Sequence, residues 1–597
     1  MRRNASGSGV CFEGRAVREK LAALEVQQAE DLRGWFRKKI AAMPFMWRKH
    51  LTAEHGSRGG LGSQAANAWL LAVTEQAAGR LPLSASDWDI REAAQEAARV
   101  AFELAKIEMD SGAGHAAVRA ALVLHCRSWG IREAEQEGEP GLLRMLCERW
   151  YLRRMRRAFG RRAEGAAIGG GVVRRGLWPY ASQDAVIRRQ DQRKRNAAAM
   201  ERAYAQAGDG ERVGMVDIVA GSLANPEVKR AELMVRIKGC DGYAHLRGWS
   251  CEFWTITAPS RFHAMRVTGA CSEKNPNYQG ATPSEAQRYL CGVWARIRAA
   301  LARRGIYICG LRTVEPHHDG CPHWHMIVYG TGEDVCMARH IARWYALQDS
   351  GDEPGAVEHR FNFKVADDGT GAAAYAAAYV SKNIDGGGMD GERDLETGSF
   401  VSSTVKRVDA WASNWGIRQF QFFGMPRVGI WRTLRRVDCG GVAAGVVENR
   451  EGEVRRVKSS GLPEGSALEE ARRCADDSDW CGFWLACVRG GLGLIKSSVP
   501  RLTDYGDAAA AVVAGVCEGG RRLLLPVRDW VIHWGGQAKK AGGVAVDLPW
   551  SCVNNCTGDD RERRERETKE RKVFAINDEF QAMAAAMFEP CGVALAG

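Results

Sequence analysis

Residues 306–329, IYICGLRTVEPHHDGCPHWHMIVY, are the segment from which the fold of this chain can be worked out. Its first part, 306–315, and its last part, 323–329, alternate apolar with other side chains and are rich in β-branched and aromatic residues, as strands are. The segment between them, PHHDGCP, consists of residues that favour turns. We therefore predict a β-hairpin here.

The flanking residues extend this hairpin into a sheet. CEFWTITAPS (251–260) alternates as a strand, and a helix begins at Thr282, which forms a capping box with Glu285. Residues 334–349 again have helical spacing, and residues 358–365 again alternate. The resulting order, strand-helix-strand-strand-helix-strand, predicts an α+β fold with a ferredoxin-like (RRM-like) antiparallel sheet and helices on one face.

The hairpin carries candidate metal ligands. His323 and His325 are two residues apart on a strand, so their side chains lie on one face, about 7 Å apart at ~3.3 Å per residue. Glu315 is expected opposite His323 and hence on the same face. Two imidazoles and a carboxylate suit Mg²⁺ or Mn²⁺ as well as zinc. His317 and His318 are alternative ligands, and two ordinary strand histidines are the alternative to a metal site.

A second group of reactive side chains follows the last predicted strand. The segment 369–388 is rich in alanine and ends in three glycines, so it predicts a helix. Tyr375, Tyr379 and Lys382 lie on one side of this helix. Core packing also places aromatic residues four apart, but the flanking alanines supply little hydrophobic bulk. Tyrosine is a covalent nucleophile in several enzymes, and Lys382 would stabilise charge on a reacting phosphate or lower the pKa of a phenol.

Composition narrows the class of protein. The chain has 597 residues, 45% of them hydrophobic and 26% charged, as in soluble globular proteins. Lys and Arg number 84 against 72 Asp and Glu, a net charge of +12 that favours a polyanionic partner such as nucleic acid. No apolar run reaches the ~20 residues of a membrane-spanning helix. The 18 cysteines include no CxxC pair, and the single CxxxC, Cys552 to Cys556, does not by itself predict a metal site.

Four regions are predicted along the chain. They are a helical N-terminal region (1–143), a basic helical DNA-contacting segment (144–245), a catalytic domain (246–437) and a C-terminal region without a recognisable motif (438–597). Two arginine clusters in the basic segment, at residues 144–162 and 188–195, are candidate phosphate-binding surfaces, with solvated helix faces as the alternative. Aromatic residues among the first cluster, such as Trp150, favour single-stranded nucleic acid. The candidate DNA-binding residues are Arg153, Arg154, Arg156, Arg157, Arg188, Arg189 and, beyond the first strand, Arg261.

PHWHMIV (322–328) and YAAAYVSKN (375–383) resemble the histidine-hydrophobic-histidine and double-tyrosine motifs of HUH rolling-circle replication initiators. Within that group, the chain resembles the phage replication gene A protein family of temperate tailed phages over about residues 150–437. Ala258 and Cys321 differ from the cysteine and threonine common in that family. Further similar segments are SQDAVIRRQDQRKRNAAAMERAYA (182–205), NPEVKRAELMVRIKGCDGYA (225–244), WTITAPSRFHA (254–264), TVEPHHDGCPHWH (313–325) and RVDAWASNWGIRQFQFFGMPRVGIWRTLRR (407–436).

The resemblance implies a metal-dependent, site- and strand-specific DNA nickase and ligase. It would start rolling-circle replication of a phage genome through a covalent 5′-phosphotyrosine, with His323 and His325 as metal ligands and Tyr375 and Tyr379 as nucleophiles. The implied partners are phage origin DNA, single-stranded at the nick, and host helicase and DNA polymerase, in the host cytoplasm and without a membrane. The alternatives are a relaxase or single-strand transposase of the same fold, and a non-catalytic single-strand-binding protein.

Overall fold

The protein comprises two compact units in a computed structural model. The first unit is Met1–Ser182 with Ala264–Pro276, and the second is Gln183–His263 with Asn277–Gly597. Residues 144–245 are therefore divided between the two units. The structure describes residues 27–112, 114–268, 271–366, 380, 383–384, 391–394, 397–437, 445–448, 454–457, 462, 465–497, 499, 501–525 and 530–534.

The described residues of the first unit are mainly helical. Its long helix Asp87–Asp110 begins at a capping box between Ser86 and Asp89. Alanines of this helix, among them Ala97 and Ala101, are fully buried. The small side chains allow close approach of the next helices. The helices are 27–41, Phe45–Ser57, Gln64–Gln76, Asp87–Asp110, His115–Ser128, Gly138–Met145 and Glu148–Gly169, with a 3₁₀ turn at Gly60–Gly62 and a hairpin, Met265–Thr268 with Cys271–Lys274.

The aromatic residues of the first arginine cluster pack inward. Trp150, Tyr151 and Phe159 are 8%, 0% and 4% exposed and belong to the hydrophobic core of this unit. Their sequence spacing places them on the buried side of the helix Glu148–Gly169, opposite the charged side chains. These buried rings are not available to stack on bases, so they do not support single-stranded nucleic acid as the partner of this helix.

An antiparallel five-stranded sheet forms the centre of the second unit. Its strands are β1 (Ser250–Ile256), β2 (Cys309–Pro316), β3 (Pro322–Gly330), β4 (Phe361–Val365) and β5 (Phe420–Phe423). They lie side by side in the order β4-β1-β3-β2-β5. The predicted α+β class is confirmed, as is the predicted hairpin, which β2 and β3 form. The aromatic segment Phe420–Phe423 forms the edge strand β5.

Helices cover both faces of this sheet. Pro283–Arg303 and Gly332–Leu347 follow β1 and β3 in the predicted order, and the first of them contacts Trp324 of β3 through Gln287. The helix Pro226–Leu246 packs on the opposite face, where Ile237 joins a hydrophobic core with residues of β2, β3 and β5. The candidate metal ligands belong to this second face.

The remaining elements of the second unit include a second five-stranded sheet that the sequence did not predict. None of the described helices in either unit is long and apolar enough to cross a lipid bilayer. The further described helices of the second unit are Gln183–Glu201, Met215–Ala220, Ala356–His359, Val401–Trp415, Val428–Leu434, Ala467–Asp476 and Trp480–Gly490. Ser260–Phe262 is a 3₁₀ turn. The second sheet contains Gly445–Glu448, Val454–Val457, Gly493–Lys496, Val513–Glu518 and Arg521–Leu524, and a three-stranded sheet contains Ala203–Ala207, Arg212–Gly214 and Trp530–Trp534.

The helix Pro283–Arg303 has the predicted capping box. The Thr282 hydroxyl accepts a bond from the Glu285 amide, and the Glu285 carboxylate accepts one from the Thr282 amide at 2.7 Å. Replacing Thr282 by alanine is expected to cost about 1 kcal/mol. The midpoint of thermal unfolding should therefore fall by about 2–4 °C. Thr282→Ser retains the oxygen and serves as the control, so an equal loss in both variants would contradict a role for the cap.

Candidate metal centre

Glu315, His323 and His325 form a compact cluster on the hairpin. In the register of β2 and β3, Glu315 lies directly opposite His323, as the sequence predicted. One ligand atom from each of the three side chains lies within 4.8 Å of the others. Glu315 and His323 are 3% and 6% exposed, so the cluster is largely shielded from water. A buried carboxylate beside two imidazoles is a set of ligands suited to a divalent cation.

The two imidazoles converge on one point. Their Nε2 atoms are 2.8 Å apart. Two nitrogens that bind one ion at ~2.1 Å and at about a right angle lie ~3 Å apart, close to this separation. Thr255, directly opposite His325 on β1, places its hydroxyl 3.2 Å from Nδ1 of His325. This contact orients the ring so that Nε2 points toward the cluster.

A chain of amides holds the carboxylate of Glu315. Asn383 donates a hydrogen bond from its Nδ2 to Glu315 Oε1. Gln419, immediately before β5, donates from its Nε2 to the Asn383 carbonyl oxygen at 3.2 Å. Asn383 is 3% exposed. Sequence reasoning missed both amides, although Asn383 lies eight residues after Tyr375 and four after Tyr379, the spacing of one side of the helix predicted there.

The hairpin loop braces the cluster from one side. His317 stacks on His323, with ring centroids 3.9 Å apart. Buried Asp319 lies 3.3 Å from Nδ1 of His263. Burial opposes the charged form of His263, but the neighbouring Cys321 and Asp319 outweigh it and raise the pKa of His263 well above its usual value. His317 and His318, the alternative ligands, are outside the three-residue cluster found among the described residues.

The candidate nucleophiles Tyr375 and Tyr379, with Lys382, lie outside the described residues, as do Cys552 and Cys556. The described neighbours of these tyrosines in the chain, residues 380, 383 and 384, are helical. Val380 is fully buried in the core that includes β2 and β3.

Three of the candidate DNA-binding arginines are engaged within the protein. Arg156 makes a two-point ion pair with Asp87 at 2.8 and 2.7 Å. Arg189 pairs likewise with Asp409 in the second unit. These contacts orient the guanidinium groups and partly neutralise their charge.

Arg261 is the third, and it binds both carboxylate oxygens of Asp349 at 2.8 and 2.7 Å. Of the others, Arg153 and Arg157 are exposed on the helix Glu148–Gly169, and Arg188 is half-buried. Arg154 lies over the ring of Trp150 at 5.3 Å. Arg156, Arg189 and Arg261 thus have carboxylate partners within the protein, whereas Arg153 and Arg157 are exposed.

A family profile and the similar proteins of known name agree with one another. The profile of the bacteriophage replication gene A protein (GPA) family matches residues 104–387. The chain is 34% identical to the replication gene A protein of Escherichia phage 186 over 73% of this chain and 64% of that protein. It is 37% identical to the replication gene A protein of Escherichia phage P2 over 55% of this chain and 44% of that protein.

A third relative is described as a probable replication endonuclease from a prophage-like region of Salmonella paratyphi A. It is 35% identical over 50% of this chain and 37% of the relative. The chain thus spans less than two thirds of the length of each of these relatives. No solved structure matches the chain.

Proposed function

Through residues 104–387 the chain belongs to the bacteriophage replication gene A protein family, and on this premise we propose that it is a metal-dependent replication endonuclease. It nicks one strand of a phage origin at a specific site, keeps the broken end as a 5′-phosphotyrosine and later rejoins it. The observation that carries this proposal is the buried cluster of Glu315, His323 and His325. Host DNA polymerase then extends the freed strand, with a host helicase separating the duplex, in the bacterial cytoplasm.

The topology of the sheet supports an HUH endonuclease domain. The first four strands have the order β4-β1-β3-β2, the order of a ferredoxin-like sheet, and β5 extends it beside β2. Central strands β2 and β3 carry the cluster, and their registers to both neighbours fix its position. A rigid sheet is suited to holding catalytic groups to within fractions of an ångström.

Glu315, His323 and His325 would hold a Mg²⁺ or Mn²⁺ ion. The mixed nitrogen and oxygen ligand set leaves positions for oxygens of a bound phosphodiester. When bound, such an ion neutralises charge on the phosphate and polarises the phosphorus toward attack. Thr255 and Asn383 orient His325 and Glu315 around it.

In the proposed site, helical spacing would bring the two tyrosines toward this cluster. Tyr375, Tyr379 and Asn383 are successive members of an i, i+4, i+8 series, which occupies one face of a helix. Asn383 of this series contacts Glu315. In a continuous helix, as predicted over 369–388, both phenols therefore project on the side that faces the metal ligands.

The proposed reaction is a transesterification. The Oη of Tyr375 or Tyr379 attacks the scissile phosphorus, a P–Oη bond forms, and the bond from phosphorus to the 3′ oxygen breaks. The phenolic proton leaves the nucleophile, and the departing 3′ oxygen gains a proton. Lys382 offsets charge on the phosphate. The energy of the phosphodiester is retained, so attack by a 3′-hydroxyl in the reverse sense rejoins the strand.

Adduct formation tests the proposed function. We expect purified protein with Mn²⁺ and supercoiled DNA of its phage origin to yield nicked circles and a protein–DNA adduct that survives denaturation. EDTA should prevent both products. Nicking without an adduct would contradict the tyrosine mechanism, and the absence of nicking with Mn²⁺ or Mg²⁺ would leave only a DNA-binding protein. Transfer or excision without replication would instead identify a relaxase or transposase.

Asn383→Ala should weaken metal binding without removing a ligand. The change takes a donor from the buried Glu315 carboxylate, and loss of such outer partners typically costs 10- to 100-fold in metal affinity. Mn²⁺ titration followed by electron paramagnetic resonance measures this loss. Asn414→Ala, a half-buried amide on another helix, is the matched control. Equal affinity in wild type and Asn383→Ala would show that the amide does not position Glu315.

A further inference from the structure

A pocket in the second unit lies beside the edge strand β5. It has a volume of about 530 Å³, within the range of small-ligand sites. The helix Pro226–Leu246 forms one wall, and residues 417–432 form the other. Its floor is apolar and includes Leu233, Phe420 and Phe422.

The lining of the pocket is strongly basic. Among the described residues, five cationic side chains and a single carboxylate, that of Glu232, line it. Arg432 occupies this carboxylate with two hydrogen bonds of 2.8 and 2.6 Å. Arg418 and Arg427 are exposed and make no ion pair with the part of the chain that the structure describes. The pocket therefore carries a surplus of positive charge that an anion would neutralise. The cations are Lys229, Arg236, Arg418, Arg427 and Arg432.

The positive charge of Arg236 is buried, which is unfavourable without a compensating partner. The residue is 8% exposed, and its Nε finds no hydrogen-bond acceptor among the described residues. Its guanidinium lies 3.7 Å from the ring centroid of Phe422. Burial lowers the pKa of Arg236 to about 10, although Glu232 opposes this shift, and burial also lowers the pKa of Lys229. A bound water or ion can satisfy such a buried donor, and an anionic ligand in the pocket would supply the acceptor here.

The pocket opens on the same sheet face as the metal ligands. Phe420 of β5 lies opposite Thr313 of β2, and Thr313 lies opposite His325 of β3. Opposed residues of an antiparallel sheet share a face. Two strand spacings separate Phe420 from His325, about 10 Å between backbones. Gln419 also connects the two places, since it lines the pocket and bonds Asn383.

We propose that this pocket binds a nucleotide of single-stranded DNA next to the scissile phosphate. Arg418, Arg427 and Lys229 hold its phosphate, and its base packs against the apolar floor beside Phe420. Basic side chains around aromatic rings are how proteins bind single strands without reading sequence. The assignment of this nucleotide as a neighbour of the scissile phosphate rests on the proposed nuclease function; the binding of a single strand does not.

Equilibrium binding tests the pocket separately from catalysis. A fluorescein-labelled oligothymidylate is titrated in EDTA, and its anisotropy is followed between about 50 and 200 mM salt. Each lost phosphate contact on a single strand reduces the slope of log affinity against log salt by ~0.7. The Arg418→Gln/Arg427→Gln variant should therefore lose ~1.4 from the slope and about tenfold in affinity at physiological salt. Both residues are exposed, so folding should be preserved.

The matched control removes the same charge elsewhere on the second unit. Arg296→Gln/Arg303→Gln changes two exposed arginines of the helix Pro283–Arg303 and should leave the slope as in wild type. Equal slopes for the pocket and control variants would overturn the proposal, and so would an equal loss for a duplex of the same length. A slope loss in the pocket variant alone, in a protein that forms no adduct, would retain the pocket and reject the nuclease. Adduct formation by the wild type, together with an unchanged slope in the pocket variant, would retain the nuclease and reject the pocket.

Discussion

Changing Tyr375 and Tyr379 together to phenylalanine is expected to abolish the protein–DNA adduct and to lower the nicking rate at least about 10⁴-fold. The substitution removes the two oxygens that would attack phosphorus and leaves ring size unchanged. Loss of a nucleophile has effects of this order because positioning and charge stabilisation alone supply only the residual rate. The measurement is denaturing electrophoresis of labelled origin DNA after incubation with Mn²⁺.

The single variants distinguish the roles of the two phenols. Tyr375→Phe and Tyr379→Phe each retain one nucleophile, so one round of cleavage and an adduct should persist in at least one of them. The second transfer, which rejoins the displaced strand, should fail in both. Tyr345→Phe, on the helix Gly332–Leu347, is the control for loss of a phenol elsewhere in the second unit. Adduct formation by the double variant at the wild-type level would refute the nucleophile assignment.

The geometry of the hairpin could be predicted because it depends only on the length of the loop and on the alternation of side chains along each strand. Counting across the loop PHHDGCP placed Glu315 opposite His323, and that register is present. The period of two along a strand placed His323 and His325 on one face. The loop itself is tighter than predicted, since the strands extend to Pro316 and Pro322 and pair there.

Contacts between distant segments were beyond such reasoning. The chain of bonds from Gln419 through Asn383 to Glu315 joins three separate parts of the sequence. Strand β5 has only four residues, so its aromatic pattern was too short to separate a strand from packed side chains. Its partner β2 precedes it by about a hundred residues in the chain, and only tertiary pairing makes it a strand.

The aromatic residues near residue 150 were misinterpreted because the sequence alone does not separate the two sides of an amphipathic helix. Arginines and aromatics alternate along the helix Glu148–Gly169, and the sequence alone shows both as one cluster. The helix separates them, because Trp150, Tyr151 and Phe159 face the core. One of the charged side chains, Arg156, pairs with Asp87. The basic pocket beside β5 draws on Arg418, Arg427 and Arg236, which are scattered in the sequence, so no cluster of charge in the sequence indicated it.

Replacing His323 and His325 together by alanine is expected to remove Mn²⁺ binding and, with it, nicking. Their Nε2 atoms are 2.8 Å apart, and a lone Glu315 carboxylate retains little affinity for a divalent ion in water. The loss should exceed the ~10- to 100-fold expected for an outer partner such as Asn383. Mn²⁺ titration by electron paramagnetic resonance measures it without depending on catalysis.

The matched control for the two histidines is His359→Ala, an exposed imidazole between β3 and β4, which should bind Mn²⁺ as wild type does. Thermal unfolding with and without Mn²⁺ supplies a second readout. An ion that binds only the folded state raises the unfolding midpoint. Once the ion concentration exceeds the dissociation constant, this increase grows with the logarithm of the concentration. This increase should be present in wild type and His359→Ala and absent in His323→Ala/His325→Ala. If Mn²⁺ stabilised the double variant as much as wild type, the ion would bind elsewhere and the hairpin would hold no metal.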